Sequence, residues 1–153
     1  MHNSPVVTQT SQYLSQEGAE SQSNKYIRPY SVMVSCIGTV GVVSMNSKTA
    51  QTNQQINTII PNQPNSNYYL FYALKQLKSK MEAMGGGVTM PNVNKSKFES
   101  LEIIYPEKNI ISLFSEFTKY LYTQIENLME ENQNLKKARD LLLPKFMRGE
   151  LIV

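Results

Sequence analysis

Apolar and polar positions divide this chain into a sheet-forming body and a long helical end. The clearest pattern lies between Pro106 and Pro144, where Phe114, Leu121, Leu128, Leu135 and Leu142 recur at seven-residue intervals. Phe117, Ile125, Ala138 and Phe146 fall three or four positions further on. That is the spacing of a helix burying a narrow stripe against a partner helix. Neither proline nor glycine interrupts Glu107 to Leu143. At ~1.5 Å per residue the helix spans roughly 55 Å, longer than a small domain is wide. The spacing therefore predicts a rod that projects and pairs through its stripe. A helix folded back onto its own domain is the alternative.

Upstream, the period changes. Met1 to Lys25 is polar and reads as a loop, with at most a short turn or strand at Tyr13-Leu14. Val32 to Val34 and Val40 to Val43 are β-branched and apolar runs around Ile37-Gly38-Thr39, which predicts two strands and a tight connection. Ile56, Ile59 and Ile60 before Pro61 predict a further strand. Leu70, Ala73, Leu74, Leu77, Met81 and Met84 follow helical spacing, so Tyr68 to Met84 is expected as one amphipathic helix ended by a left-handed cap at Gly85. Val88 to Met90 is expected as a short strand, Phe98 to Leu101 as a helical turn, and Glu102 to Tyr105 as a last strand. The fold class is α+β, a small mixed sheet with a packed helix and then the long coiled-coil-type helix. The divisions are a polar segment (1–25), a partial recognition-type body (26–105), the long helix (106–147) and a tail (148–153).

Composition narrows the chemistry. The chain is 41% hydrophobic, which permits a core, and its net charge of +3 allows a polyanionic partner without demanding one. Its polar residues are mostly Asn, Gln, Ser and Thr, which both donate and accept hydrogen bonds. The single cysteine, Cys36, excludes a disulfide framework and fits a reducing cytosol. Without an apolar leader or a long apolar run, a soluble cytoplasmic protein is expected. His2 is the only histidine, so no Ser/His/Asp or Cys/His arrangement assembles. Cys36 sits in an apolar strand, where a free cysteine is usually core. Gly85 to Gly87 lacks the Gly-Lys-Ser/Thr of a phosphate loop and follows a helix instead of opening one. No acidic cluster has metal-ligand spacing. Loop residues Arg28, Lys48, Asn53, Gln54, Gln55, Asn92, Asn94, Lys95 and Lys97 form a candidate nucleic-acid surface, or plain solvated loops.

Several stretches, in order, carry a family likeness. They are Tyr13-Leu14-Ser15-Gln16-Glu17-Gly18, Val34-Ser35-Cys36-Ile37-Gly38-Thr39-Val40-Gly41, Thr52-Asn53-Gln54-Gln55-Ile56-Asn57, Tyr68 to Leu77, Gly86 to Leu101, and the ending Asp140-Leu141-Leu142-Leu143-Pro144-Lys145-Phe146-Met147-Arg148-Gly149-Glu150-Leu151. Together they resemble the specificity subunit of type I restriction-modification systems. The resemblance implies a non-catalytic, sequence-recognising component of a restriction and methyltransferase complex. It implies double-stranded DNA as ligand, with the methyltransferase (modification) subunit and, through the complex, the restriction subunit as partners. The long helix would pair with another specificity polypeptide or a second copy as a spacer. S-adenosylmethionine and ATP belong to the other subunits, so no cofactor is expected. The likeness also implies a first part of the recognition domain before this region. That part would be supplied by an upstream polypeptide, lost in a truncated remnant, or cut off by a misplaced gene start.

The DNA-contacting residues expected from the loops and the resemblance are Ser35, Thr39, Asn53, Gln54, Thr89, Asn92, Lys95 and Lys97. Phe114, Phe117, Leu121, Ile125, Leu128, Leu135 and Leu142 are expected to meet partners. The competing expectation is a protein that no longer reads DNA and only pairs through its helix.

Overall fold

The computed structural model describes residues 4–63, 65–86 and 90–150. Its centre is strand β3 (Val32–Ser35), antiparallel to β4 (Val43–Asn46) on one side and to β6 (Ile56–Ile59) on the other. Val32 faces Met45 and Ile59, and Val34 faces Val43 and Asn57. Val32, Met33 and Val34 are all buried, so the strand reads as an unbroken apolar run instead of alternating. Strand β1 (Val6–Val7) runs parallel to β4 and completes the order β1-β4-β3-β6. A two-residue ladder joins β2 (Tyr26–Ile27) to β5 (Ala50–Gln51).

Two sequence expectations for the N-terminal segment need correction. Val6 is fully buried in the sheet, so part of this polar stretch is structural. Tyr13 and Leu14 form no strand. Instead Ser15 caps a short helix, α1 (Gln16–Glu20), by accepting from the Gly18 N–H.

The connection after β3 is held by Gly41, at φ +79°, whose N–H donates to the Ser35 carbonyl at 2.9 Å. A Cβ there would lie 3.0 Å from Lys78 Cγ and 3.3 Å from Lys78 Cα. Only glycine satisfies both the backbone angle and the approach of the helix beneath.

The expected helix from Tyr68 to Met84 is two helices, α2 (Asn67–Gln76) and α3 (Lys78–Gly85), which meet at Leu77. No proline or glycine marks the break. The bend is accompanied by complete burial of Met81, in one core with Leu70, Phe71 and Leu74 of α2 and the valines of the sheet. The residue with positive φ at the helix end is Gly86, at +47°, and not Gly85. Gly85 remains helical, and a Cβ on it would lie 3.2 Å from Pro91.

Of the strand expected at Val88 to Met90, Val88 and Thr89 lie outside the described residues, and Met90 joins no strand. Asn94 caps a short helix, α4 (Lys95–Glu99), by accepting from the Lys97 N–H at 2.9 Å. Glu102 to Tyr105 runs without a ladder partner, so the expected last strand is absent.

Helix α5 (Lys108–Met147) has 40 residues and is therefore about 60 Å long. It passes through Pro144 without interruption. Its first half is not free of the domain. Ile111, Ser115, Thr118 and Tyr122 are buried, and Tyr122 packs on Tyr68 and Phe71 with ring centroids 4.9 and 6.0 Å apart.

Candidate nucleic-acid interface and partner-facing helix

Three polar loops meet at one end of the sheet because backbone hydrogen bonds continue past β3. The Cys36 N–H donates to the Gln55 carbonyl at 2.8 Å, and the Val93 N–H donates to the Cys36 carbonyl at 2.9 Å. The Gly38 N–H reaches the Pro91 carbonyl at 3.1 Å, and Ile37 bridges Asn92. The Asn57 side chain donates to the Val93 carbonyl at 3.2 Å. The loops 36–42, 52–55 and 90–94 are thus tied into one platform.

Most residues expected to contact DNA stand on it. Thr39, Asn53, Gln54 and Asn92 are exposed there. Asn53 keeps its loop tight by accepting from the Gln55 N–H at 3.1 Å. Ser35 is committed to its own turn, donating to the Thr39 carbonyl and accepting from the Val42 N–H. Lys95 lies 3.6 Å from Glu99 with its side chain 83% exposed, so this pair restrains it weakly. Lys97 donates to the Met84 carbonyl at 2.7 Å, which ties α4 to the end of α3. Thr89 lies outside the described residues.

Arg28 and Lys48, counted from sequence among the same loops, belong elsewhere. Arg28 donates to the Pro61 carbonyl and lines a cleft of about 390 Å³ that Lys119 also lines. Lys48 lines a groove of about 400 Å³ with Tyr13, Leu14 and Tyr26.

Cys36 is buried, and burial raises its thiol pKa, opposed by the Asn57 backbone N–H. A raised pKa disfavours the thiolate, so this is a poor nucleophile. Among the described residues no three His, Cys, Asp or Glu side chains gather to hold a metal ion. No helix among them is long and apolar enough to cross a membrane.

The second candidate surface is the heptad ridge of α5. Phe114, Phe117, Leu121, Leu128, Leu135 and Leu142 are all exposed, with Phe117 at 70% and Leu135 at 61%, and Ile125 is half-buried. The domain covers a different side. Tyr30 donates to Glu126 Oε2 at 2.9 Å, Gln133 donates to Thr8 Oγ1 at 3.0 Å, and Ser115 donates to the Asn65 carbonyl. Sequence reasoning missed this polar face because small hydroxyl residues carry no hydropathy signal. The four- and three-residue spacing of Ile111, Ser115, Thr118 and Tyr122 was its one trace.

Comparison with known proteins places this arrangement. The family profile described as type I restriction modification DNA specificity domain matches residues 2–137. The chain is 44% identical over 154 aligned positions to the type I restriction enzyme HindI specificity subunit of Haemophilus influenzae, covering 99% of this chain and 34% of the relative. It is 34% identical over 86 positions to the MjaIX specificity subunit of Methanocaldococcus jannaschii, covering 56% of this chain and 20% of that one. The chain therefore spans about a third or less of these relatives' length. Among solved structures, the type I restriction-modification S subunit from M. genitalium superposes with a TM-score of 0.63 at 25% identity, over 80% of this chain and 34% of that one. With its mixed sheet, packed helices and long terminal helix, the chain belongs to the type I restriction-modification DNA specificity family.

Proposed function

We propose that this chain acts as a DNA-recognition element of a type I restriction-modification complex and performs no chemistry itself. The observation that carries the reading is the platform: three loops carrying Asn, Gln and Thr, bonded backbone to backbone, present exposed side chains at one end of the sheet, with Lys95 and Lys97 on the adjoining α4. Amide side chains donate and accept in the pairs that major-groove base edges require, and the exposed Lys95 supplies a charge suited to phosphate. Thr39, Asn53, Gln54, Asn92, Lys95 and Lys97 are the proposed contacts, with Ser35 shaping the turn. The bare ridge of α5 then serves assembly, with another specificity polypeptide or a second copy as its mate and the methyltransferase subunit as a further partner.

The competing reading, a helix-only interaction protein, leaves an ordered polar platform without a role. Titration of the purified chain with duplex DNA, alone and with a methyltransferase subunit, separates the two. Binding that weakens linearly on a log–log plot as salt rises supports recognition. No binding at low salt in either case supports the interaction-only protein.

A further inference from the structure

The platform is held by groups that do not face its outer surface. Cys36 is buried, yet each of its polar atoms serves a loop. Its N–H takes Gln55, its carbonyl takes Val93, and its thiol points at the Gln54 carbonyl at 3.6 Å. Asn57, half-buried on β6, closes the circuit from the other side by donating to the carbonyl of Val93, itself only 1% exposed. Between Asn57 and α4 lies a cleft of about 420 Å³ that Lys95 also lines. The segment before α4 is fastened at the Val93 N–H by Cys36, just past β3, and at the Val93 carbonyl by Asn57 of β6. Asn94 and Lys95 follow immediately.

We infer that Asn57 is a positioning residue for DNA sequence discrimination, setting the separation between the Asn53-Gln54 loop and the Asn92–Lys95 segment without touching the duplex. The inference rests on the DNA-recognition reading above. Phosphate contacts tolerate small displacements, because charge attraction varies slowly with distance. Base-edge hydrogen bonds do not, since they weaken steeply away from about 3 Å and a straight geometry. Loss of the Asn57 donor therefore acts on discrimination more than on total affinity.

The test compares the full chain with Asn57→Asp, which keeps shape but turns a carboxylate oxygen toward the Val93 carbonyl. Asn57→Ala and Asn57→Gln accompany it, the latter retaining an amide donor. Amide hydrogen exchange reads the lock, and enrichment from a random-sequence duplex pool at low salt reads discrimination. The expected result is faster exchange at Gly38 and Val93 with the β3–β4 amides unchanged. Enrichment falls about tenfold, the scale of one misread base pair, while bulk affinity for the unselected pool is held. Asn57→Gln recovers part of the enrichment. Unchanged exchange at Val93 in both Asn57→Asp and Asn57→Ala overturns the lock. Loosened loops with unchanged enrichment overturn the positioning role. A wild-type chain that enriches no sequence either alone or with a methyltransferase subunit refutes DNA recognition itself and the positioning role with it. That failure is recognised because the exchange arm still reports the lock.

Discussion

The two long sides of α5 differ in what they ask of their surroundings. The side toward the domain runs through Ile111, Ser115, Thr118, Tyr122, Glu126, Met129 and Gln133; Asn65, Tyr30, Ser4 and Thr8 meet Ser115, Glu126, Met129 and Gln133 in turn, while Thr118 donates to the Phe114 carbonyl of its own helix. The other side is a row of Phe and Leu that the described residues leave exposed, Phe114 standing 6.0 Å from the Tyr72 ring. Phe114 and Ser115 are adjacent in sequence yet about 100° apart around the helix. Their repeats also differ. Ile111, Tyr122 and Gln133 are eleven residues apart, whereas the ridge recurs every seven. On a straight helix an eleven-residue track and a seven-residue track drift in opposite senses, roughly 20° per repeat for the heptad. The tracks therefore diverge along the rod. The polar track fixes an angle within one chain, and the apolar track stays exposed along much of its length.

Leu128→Lys breaks that comparison hardest. It sets a charge in the middle of the ridge, on a side the domain does not cover. Self-association or assembly with partner subunits is expected to be lost, with circular dichroism and melting of the domain unchanged. Sedimentation measures this. A wild type that stays monomeric alone and with partner subunits, and behaves as Leu128→Lys does, ends the argument from the ridge.

Tyr122→Ala attacks the other side. Removing a ring packed between Tyr68 and Phe71 is expected to cost about 3–5 kcal/mol of folding stability. The same truncation at Leu142, exposed and far from the domain, is expected to change the stability of the chain alone by less than about 0.5 kcal/mol. Chemical denaturation of both variants is the check. Comparable losses would mean that the distal ridge is folded against something within its own chain.

The sequence announced one of these sides and hid the other. Leucine every seven residues is legible because hydropathy and period agree. A face of Ser, Thr, Tyr and Glu is not, since its burial depends on which carbonyl or hydroxyl the tertiary fold brings opposite. The central hairpin was legible in part: Val32 to Val34 lies in β3, but the expected run Val40 to Val43 meets β4 only at Val43, because the turn through Gly38 and Gly41 takes up the residues before it. Strand β1 was not, because two valines among polar residues become a strand only when β4 offers its edge. The bend at Leu77 carries no punctuating residue. At the platform, the side chains were nameable as loop amides, but the adjacency of residues 36, 55 and 93 comes from backbone pairing that composition does not encode.

Tyr30 gives the smallest expected effect and sharpens the comparison most finely. It sits at φ 60°, outside the usual range for a tyrosine, and its hydroxyl donates to Glu126 on the polar track. Burial first, then that hydrogen bond and the carboxylate charge, raises its pKa well above the ordinary 10.0. Burial likewise raises the pKa of Tyr68 and Tyr122. In the unfolded chain these phenols lose their protons near 10, whereas in the folded chain they hold them. Proton loss therefore favours unfolding, so their contribution is complete below pH 10 and is lost as pH rises beyond it. Tyr30→Phe removes one charge-assisted hydrogen bond and is expected to cost about 1–2 kcal/mol at neutral pH. Because the variant has no phenol at this position, its stability should fall less steeply above pH 10, and the two denaturation curves should converge. Curves that stay parallel across that range would show that Glu126 is not what Tyr30 holds, and that the angle of α5 on the domain is set by ring packing alone.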